Sequence, residues 1–217
     1  MKRLLLNLSA FLTEPGSLSG SGIRGIGLRK CIGVSLAVLS TFLPMSSVQS
    51  TELNSALAER IQALEVSAGQ GQADAQYELG NLYLGVGEVP VDLEKALHWH
   101  TLAGDQGNFN AQYNLGVMYM SGQGVEIDYE AAVAWFQLAA DQGDLVSQYS
   151  LGAMYANGRG VERDLTMAYK WFGIAAASGD RNAKANLVLF QEMLSYEQVV
   201  DGQTMVKEWI KEYKANL

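Results

Sequence analysis

AQYNLGVMYMSGQGVEIDYEAAVAWFQLAADQGDLV, from Ala111 to Val146, decides the fold, because the same 36-residue pattern is written before it and after it. A step of 36 joins Leu79-Gly80, Leu115-Gly116 and Leu151-Gly152; Tyr83, Tyr119 and Tyr155; and Asp92, Asp128 and Asp164. It also joins Trp99, Trp135 and Trp171; Ala103, Ala139 and Ala175; and Gly107, Gly143 and Gly179. Agreement at one period over so many positions identifies a tandem repeat. Units of this length stack into solenoids, because none can bury its apolar face alone.

Each unit reads as two helices and two turns. Gln112, Leu115, Gly116 and Tyr119 stand at i, i+3, i+4 and i+7, one face of a helix. Gly122 and Gly124 then end it, since glycine takes a positive φ without strain. Asp128 stands where an N-cap belongs, its carboxylate able to accept from the free N–H groups of the next turn, and Asp92 and Asp164 occupy the same place. The second helix carries Ala132, Trp135 and Ala139 at spacings of three and four and ends in the Gly143 turn. Alanines let paired helices approach while the tryptophan fills the gap between units. Replacing Trp99, Trp135 or Trp171 by alanine is therefore expected to cost roughly 3–5 kcal/mol.

The pattern A-Q-Y-x-L-G-x-x-Y, G-x-G-V-x-x-D, K/E-A-x-x-W and A-A-x-x-G resembles the Sel-one-like repeat, a short relative of the tetratricopeptide repeat. It covers three consecutive units, residues 73–108, 109–144 and 145–180. The resemblance implies an all-α fold, a right-handed α-solenoid of antiparallel helix pairs used as a binding scaffold. In the first unit Gly85 and Gly87 sit one residue early and Val89-Pro90-Val91 precedes Asp92, so that turn is expected to differ in shape.

The first 50 residues follow different rules. Lys2, Arg3, Arg24, Arg29 and Lys30 face the single carboxylate of Glu14, and an apolar run from Cys31 to Leu43 follows. That run is shorter than the about 20 residues a spanning helix needs. Pro44 and the small-residue pattern Val48-Gln49-Ser50 complete the composition of a secretory signal peptide with an extended basic leader, expected to be cut after Ser50. An uncleaved membrane anchor is the alternative reading of the segment. After cleavage no stable membrane insertion is expected, and the protein is placed in the periplasm or outside the cell.

Subtracting the five cations and Glu14 of that segment from totals of 15 and 23 leaves 10 basic and 22 acidic residues in 51–217, a formal charge of −12. Such a surface repels phosphate backbones, so nucleic acid is excluded as a partner. Cys31 is the one cysteine, so 51–217 has none and is not of the disulfide-bearing subtype known in the resembled family. Residues 51–71 place Leu53, Ala56, Leu57, Ile61 and Leu64 at helical spacing before Gly71, and read as an N-terminal capping helix. Residues 181–217 read as a degenerate repeat, with Val188 in the glycine place and Gln191 in the tyrosine place, followed by a capping helix. That helix, with Val199, Gly202, Val206, Trp209, Ile210 and Tyr213 on one side, is expected to close the solenoid and bury Trp209 against the last unit.

No catalytic constellation is present. His98 and His100, the two histidines, stand two residues apart and point in widely different directions on a helix, so they do not pair on a metal. Turns such as Gly158-Arg159-Gly160 follow a helix and lack the third glycine of a dinucleotide loop. No metal or cofactor is expected. What remains is the inner face, which analogy with tetratricopeptide repeats places at Asp74, Tyr77, Asn81 and Leu84, then Asn110, Tyr113, Val117 and Met120, then Val146, Tyr149, Ala153 and Ala156. The tyrosines at 77, 113 and 149 either pack against the next unit or form a ladder that holds a peptide or helix, and the two roles are compatible. The expected function is an exported, non-enzymatic scaffold for a protein or peptide partner. The alternatives are a cell-envelope hydrolase or penicillin-binding protein, by family analogy alone, and a secreted factor acting on host cells.

Overall fold

The computed structural model describes residues 47–85 and 89–216. The expected signal peptide lies outside them except for its last four residues, and Gly87 lies outside them too. The described residues form nine helices and no strand: α1 (Ser47–Gly69), α2 (Ala73–Tyr83), α3 (Leu93–Asp105), α4 (Phe109–Ser121), α5 (Tyr129–Asp141), α6 (Leu145–Asn157), α7 (Leu165–Ala177), α8 (Arg181–Met193) and α9 (Tyr196–Ala215). From α1 to α8 each helix packs on the next in order, so α2, α4 and α6 each lie between the second helix of their own unit and that of the unit before. This is an all-α solenoid of helix pairs.

Local chemistry sets the helix ends. Asp92, Asp128 and Asp164 cap α3, α5 and α7, accepting from the N–H of Lys95, Ala131 and Met167 at 3.0, 2.9 and 3.0 Å. A second set of caps, Asn108, Asp144 and Asp180, does the same for α4, α6 and α8. The corresponding Gln72 makes no such bond. Gly122 and Gly158 end α4 and α6 in the left-handed conformation, at φ 74° and 66°. In the first unit α2 has 11 residues against 13 in α4 and stops at a right-handed Leu84; residues 86–88 of the turn that follows lie outside the described residues.

A buried glutamine in each first helix ties successive units together. Gln76, Gln112 and Gln148 donate to the carbonyls of Ala68, Gly104 and Ala140 at 3.0, 2.9 and 3.1 Å, satisfying acceptors freed at the ends of α1, α3 and α5. Their own carbonyls accept in turn, Gln76 from Gln106 at 2.6 Å and Gln112 from Gln142 at 2.7 Å. At the third junction the donor's place holds Ser178, and Gln148 Oε1 is buried without a partner. Ser178→Gln restores the geometry of the other two junctions. It is expected to add about 0.5–1.5 kcal/mol, seen in thermal unfolding as a midpoint roughly 2–4 °C higher.

The glycine after each unit's leucine has a steric cause. A Cβ on Gly80, Gly116 or Gly152 would lie 2.6, 2.6 or 2.8 Å from the ring of His100, Phe136 or Phe172, so only glycine lets the paired helices meet over that ring. In α8 the place is taken by Val188, which is 58% exposed. The following helix, α9, does not take a second-helix position beside α8 and folds back on α7. A Cβ on Gly202 would meet the Tyr169 ring and one on Gly173 would meet Val206, each at 2.6 Å. Trp209 meets Trp171 edge-on with centroids 6.4 Å apart, and Tyr213 stacks on Trp209 and donates to the Gln142 carbonyl at 3.1 Å.

Two expectations are thereby corrected. The last helix packs Trp209 against the third unit but leaves it half-buried, covers the flank of α7 and leaves the outer side of α8 open. The three repeat tryptophans are not equivalent either: Trp171, under α9, is 1% exposed, whereas Trp99 and Trp135 are half-buried.

Candidate interaction face

The residues assigned to the inner face lie on the first helices. Tyr77, Tyr113 and Tyr149 are half-buried, and each ring rests on the ring of its own unit's second helix, His100, Phe136 and Phe172, with centroids 5.8, 5.9 and 5.3 Å apart. The ring partner is thus within the unit, and at Tyr149 helix α8 adds a polar contact. Asn186 Nδ2 donates to the Tyr149 hydroxyl at 3.3 Å. Burial, and after it the Asp144 carboxylate, raises the Tyr113 phenol above its ordinary value, so it remains a proton donor at neutral pH.

The other assigned residues divide by exposure. Asn110 is exposed, Val146 is 51% exposed, and Asp74 is exposed and accepts from Asn108 Nδ2 at 3.1 Å. Asn81 is half-buried and accepts from Asn114 Nδ2 at 3.0 Å. Val117 and Met120 pack on the core around Phe136, while Ala153 and Ala156 pack on the core around Phe172. Leu84 is half-buried at the end of α2. Asn114 and Asn186, each hydrogen-bonded to a residue assigned to this face, are absent from the sequence assignment. Their places in the other units hold Glu78 and Ser150, so no recurrence announced them.

His100 departs from the other units. It stands where they have phenylalanine and is fully buried. Asn114 Nδ2 lies 3.3 Å from its Nε2, so with the amide donating there the ring proton sits on Nδ1, which has no partner. Burial alone lowers this imidazole to about 4, and it is neutral at pH 7. His98 is exposed, so the two histidines do not converge.

Among the described residues no cluster of His, Cys, Asp and Glu could hold a metal, and no helix is long and apolar enough to cross a membrane. One surface hollow, between the turns of the second and third units, is lined by Tyr119, Glu126, Asp128, Tyr129 and Glu130; another lies among Asp141, Trp209, Glu212 and Tyr213. Both are open and acidic, and neither places a nucleophile beside a base.

The Sel1 repeat family model matches residues 73–108, 110–144 and 145–180. A protective antigen of uropathogenic Escherichia coli strains displaying an SLR fold is 33% identical over 70% of this chain, with a TM-score of 0.64. This chain covers 33% of that antigen's length. A Sel1 repeat protein from Oxalobacter formigenes is 36% identical over 59% of this chain and 96% of its own, with a TM-score of 0.55. No curated protein matches the chain. Three matched repeats, the glycine-under-ring junction they share and the likeness to a Sel1 repeat protein over nearly its whole length agree: this chain belongs to the Sel1 repeat family.

Proposed function

We propose that the chain is an exported, non-catalytic adaptor that holds a protein or peptide partner along the face of α2, α4 and α6. The observation that supports this is the row of half-buried tyrosines in one register, Tyr77, Tyr113 and Tyr149, each ring seated on a second-helix ring. Seated rings present amphipathic surface at little entropic cost, which suits an extended or helical ligand. Export rests on the basic and apolar composition of the first 50 residues, with the periplasm or the exterior as the address. The likeness to a protective antigen favours, as a second reading, a secreted factor that meets host cells.

Crosslinking pull-down from cell-envelope extracts tests the face. Tyr113→Phe keeps the ring and removes the hydroxyl; it is expected to melt like the wild type and to capture several-fold less partner, as the central group of a contact patch is the most shielded from water. Unchanged capture by every folded Tyr113 variant would move the partner off this face. The N-terminal mass of the recovered protein, expected near Thr51, tests export in the same sample, and an intact N-terminus in the membrane fraction would favour an anchor.

A further inference from the structure

The outer side of α8 is where the repeat stops, and its residues are not those of a solvated cap. Val188 is 58% exposed where every earlier unit has glycine under a ring, and Leu189 beside it is 41% exposed. Lys184 and Glu192 stand four residues to either side of Val188 and are exposed. Residues four apart are neighbours on a helix surface, so the three form one stripe, which Arg181 extends toward the N-terminus. Past the Asp180 cap, which suits the helix's own field, the charges of this stripe run against it. A helix favours carboxylates at its N-terminus and cations at its C-terminus, whereas α8 has Arg181 and Lys184 early and Glu192 late. Neither Lys184 nor Glu192 forms an ion pair with another described residue.

We propose that this stripe binds a second copy of the chain, α8 against α8, antiparallel about a two-fold axis at Val188. A two-fold contact must be self-complementary: if one residue meets another, the second meets the first. Lys184 and Glu192 are symmetric about Val188, so reversing the second helix sets Lys184 of each copy against Glu192 of the other, twice. The same reversal places each cationic first turn beside the negative end of the facing helix, which accounts for charges that α8 alone disfavours. Parallel packing would set like charges side by side. Val188 and Leu189 of the two copies cover one another between the charge pairs. An interface of one helix per partner is small, so association is reversible and concentration-dependent.

Sedimentation velocity of the full chain between about 1 μM and 1 mM reads this directly. The wild type is expected to pass from monomer to dimer across that range. Lys184→Glu and Glu192→Lys each oppose like charges twice, and each is expected to weaken self-association roughly tenfold or more. The double variant K184E/E192K is expected to restore it. Mixing the two single variants is expected to yield a dimer with one copy of each, since the facing charges are again unlike. Both positions are exposed, and unchanged thermal melting shows that the variants fold. A wild type monomeric throughout overturns the proposal, as does a dimer indifferent to both single substitutions. Loss in the single variants without rescue in the double variant or the mixture overturns the antiparallel pairing.

Discussion

Trp171→Ala is expected to lower stability by roughly 3–5 kcal/mol, while Trp135→Ala and Trp99→Ala lose about half as much or less. The same residue type at the same repeat position differs because α9 covers only one of the three. Trp171 is 1% exposed, meets Trp209 edge-on and lies under the Lys170 ammonium, 4.5 Å from the ring centre. Burial lowers the Lys170 ammonium below its ordinary value, a sign of how dry that flank is. Removing the indole empties a volume that rigid neighbours on α6 and α9 cannot fill, and it unseats α9 along with it. Since a domain of this kind holds about 5–15 kcal/mol in all, the loss takes a large share of it. Denaturant unfolding of the three variants is the measurement, and equal losses would mean that α9 contributes nothing to the seat.

Stability is also expected to fall in acid through His100, and His100→Phe is expected to remove that dependence. The imidazole titrates near 4 when folded against an ordinary 6.5, so between those values the unfolded chain binds the proton and the folded chain does not. Its contribution is complete above pH 6.5, declines as pH falls toward 4 and is then lost, amounting to roughly 3 kcal/mol. Nothing charged offsets the burial: the ring meets Tyr77, Gly80 and Asn114. Phenylalanine is what the next two units carry there, and it also removes the orphaned Nδ1–H. Melting curves at pH 5 and pH 7.5 for wild type and variant decide it. Parallel pH slopes in the two proteins would mean that carboxylates, such as the Asp92 cap held below its ordinary value by the Lys95 N–H, dominate instead.

The solenoid was legible because its period repeats each weak signal three times. A capping aspartate or a glycine before a ring is ambiguous once; Asp92, Asp128 and Asp164 at equal steps are not. Single breaks in the period were another matter. Ser178 in a glutamine's place and His100 in a phenylalanine's place acquire meaning only once Gln148 and Gly80 are known to face them. Amphipathy showed that one side of α9 is buried and could not say against which helix, because the choice turns on the mutual fit of Gly202 with Tyr169 and Gly173 with Val206. On the candidate face the recurring tyrosines were visible, whereas Asn114 and Asn186 stand at positions whose side chains change from unit to unit.

Val188 also governs how such a chain can lengthen over generations. Any 36-residue block copied within 73–180 meets the neighbours it already has: a glutamine for the preceding carbonyl, a glycine for the ring and a carboxylate for the helix start. A block added beyond Leu194 finds valine where its ring would sit and α9 already committed to α7. Unequal recombination can therefore expand or contract the stretch between 73 and 180 without disturbing α1 or α9, so reach can change while the helices that flank the repeats do not.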